Sequence, residues 1–339
     1  MSSVAVIACS NGLGHVRRAL LLCEALLGVG IAPTLLAPQA SIARLQQTLR
    51  RDFSGVTLMD FDTGTSAQAL RAGDRFATRW VERLPELDAY DLVLSDNLPE
   101  VLERYPDAVL SGSFFWHLEL RDVPATFFDN AERLLRRHHP LMLTSRLFAT
   151  PGLEQRVTMM PVGLFAAFPR PGTIGQDLLV SSGRGGDGAK ALFVPVIEAL
   201  LRNGKGAFDR VWIEPGLLPS GTPDWMAAAQ FDSAMYRNLK AVICRPGLGT
   251  ISDALVAGAR IFSLYEPGNG ELEFNAGRIV RMGAGDAVFS PSEARASALA
   301  FAVSQEAQAR HWTAIQAVSG GGAEEAAAIL SAHVKGRGR

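Results

Sequence analysis

The chain has 339 residues, 48% of them hydrophobic and 20% charged, with a formal net charge of -1. That length exceeds one ordinary core of roughly 100 to 200 residues, so two domains are expected. Balanced charge with the basic residues interleaved among acids excludes a dedicated nucleic-acid binder, and the apolar content excludes a disordered chain.

The three cysteines, Cys9, Cys23 and Cys244, show no CxxC spacing and are expected as buried thiols rather than a metal or redox centre. Residues 4–8 are apolar directly after the start, without a basic leader, and read as a first strand rather than a signal peptide. No apolar run is long enough to span a bilayer. The expectation is a cytoplasmic protein.

In chain order, residues 4–9 read as a strand, 16–28 as a helix, 31–36 as a strand, 41–51 as a helix and 56–61 as a third strand. Short apolar runs at 92–95 and 108–111, closed by Ser, Asp and Gly, continue the pattern of a parallel sheet with helices on its faces. Residues 164–175, rich in Pro and Gly, read as a linker. The pattern then restarts, with strands at 178–180, 211–214, 241–244 and 261–264 and helices at 189–202 and 250–257. The expected division is residues 1–163, a linker 164–175, a second domain 176–320 and a returning helix with its tail at 321–339. Both halves are expected to be doubly wound Rossmann-like α/β domains.

The sharpest local pattern is Cys-Arg-Pro-Gly-Leu-Gly-Thr-Ile-Ser-Asp over 244–253, a strand end, a small-residue turn and a helix start. Gly247 and Gly249 allow backbone amides to approach a ligand, and a helix N-terminus adds partial positive charge, so a diphosphate suits it without a metal. Asp253 has the chemistry to accept from ribose hydroxyls, while Thr250 and Asp253 read equally well as helix caps. A loop from Tyr265 to Ala276 follows the next strand, and Ser181-Ser182-Gly183-Arg184-Gly185-Gly186 follows the first strand of this domain. Both stand where open α/β sheets bind ligands.

In the first half, His15 follows Asn11-Gly12-Leu13-Gly14 at a strand-to-helix junction, and an imidazole with an unperturbed pKa of about 6.5 can take a proton near neutral pH. A cap of that helix is the plainer reading. Asp96, after a strand of the same sheet, is a candidate to orient His15, or else a cap for the segment beginning Leu98-Pro99. Ser113, Trp116 and His117 are candidates to line an acceptor pocket. Asp60-Phe61-Asp62 is an Asp-x-Asp triplet whose alternate carboxylates are able to reach one metal ion, a competing but weaker signal. Arg136, Arg137, His138 and His139 read as a solvated basic turn; with Leu141, Met142 and Leu147 nearby, peripheral contact with a membrane is the other reading.

Taken together, the Arg-Pro-Gly-Leu-Gly-Thr-Ile-Ser-Asp turn, Glu271, Asn275, Gly283-Ala284-Gly285 and the Gly-Leu-Gly-His entry resemble GT-B glycosyltransferases, most of all the MurG-like branch. The close likeness covers about 45 residues plus the N-terminal motif. It implies a GT-B fold of two facing Rossmann-like domains, with a nucleotide-sugar donor, a hydroxyl acceptor and no cofactor or metal. It further implies His15 and Asp96 as catalytic residues, Gly14, Ser113 and Trp116 on the acceptor, and Ser182, Gly183, Arg245, Gly247, Gly249, Thr250, Asp253, Glu271 and Asn275 on the donor. The nucleobase would lie near residues 231–235. MurG-like relatives commonly carry Glu where this chain has Asp253, and glutamines where it has Glu271 and Leu272. The implied activity is inverting sugar transfer, with uridine diphosphate implied over thymidine diphosphate by the resemblance alone. A nucleotide-sugar hydrolase, as in enzymes with a similar Gly-Leu-Gly-His-Val-x-Arg start, and a non-catalytic donor-binding subunit are the alternatives.

Overall fold

The computed structural model describes residues 2–49, 52–183, 187–203 and 205–337. The chain divides into two compact units, Met1–Phe165 with Gly321–Arg339, and Ala166–Gly320.

The first unit runs β1 (Ser3–Ile7), α1 (Leu13–Gly28), β2 (Ala32–Ala37), α2 (Gln39–Leu49), β3 (Thr57–Asp60), α3 (Ala67–Arg71), α4 (Arg75–Thr78), β4 (Leu92–Asp96), β5 (Val109–Gly112), α5 (Trp116–Glu119), α6 (Ala125–His138), β6 (Leu141–Ser145) and β7 (Thr158–Val162). These strands form one sheet in the order β3-β2-β1-β4-β5-β6-β7, and every neighbouring pair is parallel. Parallel strands are covered on both faces, which explains why β1, β4 and β5 read as continuous apolar runs. β7 contains Pro161, and it is tolerated because the strand is the last in the sheet, where one edge of the backbone needs no ladder partner.

The second unit runs β8 (Asp177–Ser181), α7 (Asp187–Asn203), β9 (Val211–Ile213), β10 (Met226–Ala228), α8 (Ser233–Arg237), β11 (Leu239–Cys244), α9 (Leu248–Ala257), β12 (Arg260–Leu264), α10 (Gly270–Arg281), β13 (Gly285–Val288), α11 (Pro291–Val303) and α12 (Gln305–Ile315). Its sheet is again parallel, in the order β10-β9-β8-β11-β12-β13. The last helix, α13 (Gly322–Arg337), belongs to the first unit and packs along α1.

Both sheets are wound from the inside outward. In the first, the chain moves from β1 to β2 and β3, then returns to place β4 on the other side of β1. In the second it moves from β8 to β9 and β10, then returns to place β11 beside β8. Such a reversal opens a crevice at the C-terminal ends of the two strands that flank it, because the following loops diverge to opposite faces. The topology therefore singles out β1/β4 and β8/β11 as ligand positions, independently of any motif.

One side chain in the first core carries a pH dependence. Glu100 is buried, with the Trp80 indole N–H 3.5 Å from Oε2, and burial pushes its carboxyl up to about 7. The unfolded chain ionises this group near pH 4.5, so stability falls as pH rises from 4.5 to 7, by about 3 kcal/mol in all. Glu100→Gln is expected to remove that fall and to be more stable than the parent at pH 8. Urea melts of both proteins at pH 5 and pH 8 check it; an equal pH slope in the two would contradict it.

Candidate functional site

At the β1/β4 crevice, Gly12 turns the chain into α1 with φ of 91°, a conformation glycine adopts without strain. The turn is tied to the segment after β3, where Thr63 N donates to Ser10 Oγ at 3.0 Å and Ser10 N donates to Thr63 Oγ1 at 3.1 Å. Gly14 and His15 then fall in the first turn of α1, Gly14 exposed and His15 half-buried.

His15 Nδ1 lies 2.6 Å from Asp96 Oδ2. Asp96 ends β4 and is fully buried; its Oδ1 accepts from Arg18 Nε at 3.0 Å, from Arg18 Nη2 and from the Ser111 hydroxyl at 3.2 Å. Burial alone would raise this carboxyl, but the charges of Arg18 and then His15 outweigh it and hold Asp96 below the usual carboxylate range. An ionised carboxylate only accepts, so Nδ1 carries the proton in the neutral ring and Nε2 keeps a free lone pair. A base is thereby presented at the switch point of the sheet. Asp96 caps no helix: the 3₁₀ turn Pro99–Glu103 starts from Leu98 without a side-chain cap.

Phe114 and Trp116 wall the imidazole, with ring centroids 6.4 and 5.8 Å away. Ser113 is buried beside them, its carbonyl accepting from Thr150 N at 2.8 Å. His117 is not part of this group. It stacks on Phe115 and sits 3.1 Å from Glu132 Oε1 of α6, which also accepts from Arg156 Nε at 2.6 Å. Trp116 faces His15 while His117 faces Glu132 of α6.

At the β8/β11 crevice, Arg245 N donates to Ser181 O at 3.2 Å, so the loops after the two strands are neighbours. Ser182 is buried and Gly183 has φ of 61°; Arg184, Gly185 and Gly186 of that loop lie outside the described residues. Gly247 is the N-cap of α9, with no side-chain cap, and Gly249 and Thr250 occupy its first turn, half-exposed. Free amides of a helix start, without a capping side chain over them, remain available to an anion.

Asn275 is buried and its Nδ2 donates to Pro246 O at 3.0 Å, which locks the turn from behind. The segment expected as a loop from Tyr265 to Ala276 becomes helix from Gly270, because Asn269 caps it by accepting from Leu272 N and Glu273 Oε1 accepts from Gly268 N. Glu271 and Asn275 are therefore one turn apart on α10, Asn275 bonded to the glycine turn. Arg245 is engaged already: Nε donates to both oxygens of Glu266, at 3.0 and 3.3 Å.

Asp253 lies in the second turn of α9, too far in to cap it. It is buried and its Oδ1 accepts from Ala167 N at 2.9 Å. Near the expected nucleobase position, Phe231 has φ of 51°, and Asp232 caps α8 by accepting from Met235 N at 2.9 Å. A non-glycine residue held there stores backbone strain of a kind that clusters at ligand sites.

Sequence reasoning missed Ser111, Glu214 and Glu266, and gave Arg18 no role beyond its place in the Gly-Leu-Gly-His-Val-x-Arg start. Glu214 Oε2 accepts from the Ser181 and Ser182 hydroxyls at 3.2 and 3.1 Å. Only Arg18 left a signal, three residues after His15 and thus on the same helix face.

The Asp60 and Asp62 carboxylates bond different segments, accepting from Gln39 N at 2.9 Å and Gly64 N at 2.7 Å. Among the described residues no group of three His, Cys, Asp or Glu is arranged to hold a metal ion. Leu141 and Met142 belong to β6, Met142 fully buried and Leu141 half-buried. Among the described residues no helix is long and apolar enough to cross a membrane.

No protein-family model matches the sequence, and no curated protein matches it significantly. Solved structures do match the fold. A structure of LpCGTa in complex with UDP superposes with a TM-score of 0.66 at 16% identity, covering 99% of each chain. The spinosyn rhamnosyltransferase SpnG gives 0.63 at 18% identity, over 98% of this chain and 100% of that one. The glycosyltransferase SnogD from Streptomyces nogalater gives 0.61 at 16%, again over 98% and 100%. Over nearly its whole length the chain has the GT-B fold of these enzymes, two Rossmann-like domains built on parallel sheets.

Proposed function

We propose that the chain is an inverting, metal-independent glycosyltransferase that moves a sugar from a nucleotide diphosphate-sugar, with uridine diphosphate as the nucleotide, to a hydroxyl acceptor. The observation that carries this reading is the His15–Asp96 pair, 2.6 Å apart at the switch point of the first sheet with Nε2 left free. Each unit supplies one half of the chemistry.

In the first, His15 Nε2 takes the proton of the acceptor hydroxyl as its oxygen attacks the anomeric carbon, and Asp96 stabilises the imidazolium that forms. The bond from that carbon to the diphosphate oxygen breaks, and the electron pair leaves with the diphosphate. In the second unit, the amides opening α9 at Gly247, Gly249 and Thr250, with Ser182 and Gly183 beside them, receive the developing charge. One displacement inverts the configuration. Glu271 is assigned to the donor sugar and Asp253 to the ribose. Arg245 holds the loops through Glu266 and offers its remaining N–H groups to phosphate. Gly14, Ser113 and Trp116 border the acceptor. The likeness to LpCGTa, whose structure holds UDP, supports the nucleotide, and a SpnG structure complexed with spinosyn aglycone supports an organic hydroxyl acceptor.

Arg18, which donates to Asp96, completes the Gly-Leu-Gly-His-Val-x-Arg start that nucleotide-sugar hydrolases also show, and that resemblance makes water a second candidate acceptor. Binding is tested first. In thermal-shift measurements with nucleoside diphosphates and their sugars, UDP and UDP-sugars are expected to raise the melting temperature, with chelator present or absent; ligand at 100 times its Kd is worth about 2.7 kcal/mol. No shift with any of them would sink the donor site.

A further inference from the structure

Arg18 raises a question that the His15–Asp96 pair alone does not answer. A carboxylate as deeply buried as Asp96 demands a nearby cation, since an isolated buried charge is strongly disfavoured. With only His15 beside it, the imidazole would have to be that cation. An imidazolium has no lone pair and accepts no proton. The structure places a second cation on the same carboxylate: Arg18 Nε and Nη2 take Oδ1, leaving Oδ2 to His15, and Nη2 also stands 3.5 Å from the imidazole Nδ1.

We infer that Arg18 is a positioning residue that holds His15 in its neutral, proton-accepting form. It does so in two ways. Its permanent charge neutralises Asp96, so the buried site requires no imidazolium, and its nearness to the ring opposes a second positive charge there. Arg18 lies one turn after His15 on α1, so the helix itself sets the spacing.

The surrounding ionisable groups leave this role to Arg18. Just after β1, the Cys9 thiol is buried and pushed far up by burial and then by Asp96, so it stays neutral. Arg17, on the same helix, sends Nη1 to the Phe165 carbonyl. From the α5 side the ring meets Phe114 and Trp116, which carry no charge. Elements packed against α1 bring Arg44 of α2 and, on α13, Glu324, Glu325, His333 and Lys335; Glu325 accepts from Arg146 Nη2 and Gly163 N.

This inference rests on His15 being the base of the proposed reaction, whether the acceptor is an alcohol or water. The test compares the parent with Arg18→Met and Arg18→Lys by two measurements: the pH profile of kcat, and an NMR titration of the His15 ring protons. In Arg18→Met the profile's acid limb is expected to move up by about one pH unit, so kcat falls about tenfold well down that limb, less near its midpoint, and recovers by pH 9. The His15 titration midpoint moves by the same amount, and Arg18→Lys keeps both near the parent. A loss of kcat equal at every pH, or a His15 titration unmoved in a folded Arg18→Met, would overturn the inference. The titration needs no turnover, so it still reads Arg18 if the chain proves not to transfer sugar.

Discussion

His15→Ala is expected to lower kcat roughly 10²- to 10⁴-fold, the span that a positioned general base contributes. The UDP-induced rise in melting temperature should survive, because the amides of α9 and the Ser182–Gly183 turn belong to the other unit. Asp96→Asn is expected to fall in the same range by a different route. An amide in place of the carboxylate can donate to Nδ1, which forces the ring proton onto Nε2 and removes the lone pair the acceptor needs. Initial rates of UDP release at saturating donor, with UDP binding measured alongside, check both variants. Unchanged kcat in His15→Ala would remove the imidazole from the chemistry.

The second large effect concerns stability at the same crevice. Gly112 closes β5 with φ of 149°, and a Cβ built there would fall 1.4 Å from Asn97 Oδ1. Asn97 follows Asp96 directly, is fully buried, adopts φ of 58°, and donates its N–H to Ser111 O at 2.8 Å. Gly112→Ala therefore displaces a packed side chain and imposes a backbone conformation that alanine rarely adopts. A loss of about 3 kcal/mol or more is expected in denaturant melts. Because Asn97 fixes the end of β4, kcat should fall as well. Adding Asn97→Gly removes the clashing carboxamide and should recover part of the stability. A single variant as stable as its parent would show that the close approach is not there.

Much of the fold is legible in the sequence because buried parallel strands are short, apolar and closed by turn residues. Residues 92–95 and 108–111 were readable on that basis as what became β4 and β5. β6 and β7 escaped for physical reasons. Leu141–Ser145 follows directly on Arg136 to His139, whose charges draw attention to a surface, and Pro161 argues against a strand unless the strand is known to be an edge. α10 was hidden by Pro267-Gly268-Asn269-Gly270, a loop composition in which Asn269 is in fact a cap.

The candidate site divides along the same line. His15 and the glycine turn at 247–250 are local motifs, readable without the fold. What they bond to is not local: Asp96 lies 81 positions from His15, Glu266 lies 21 from Arg245, and Asn275 lies 29 from Pro246. For Asp253 the sequence showed a carboxylate near a helix start, whereas its burial and its bond to Ala167 N depend on a chain crossing 86 positions away. Residue type predicts chemistry; only topology supplies the partner.

The most direct test of the central claim is to incubate the chain with UDP-sugars and a panel of hydroxyl-bearing acceptors, following UDP release and the anomeric proton signals by NMR. The proposal predicts UDP release that rises with an acceptor, a new glycoside of inverted anomeric configuration, and loss of both in His15→Ala. UDP release that no acceptor changes, yielding only free sugar, or a product that keeps the donor's configuration, would contradict it.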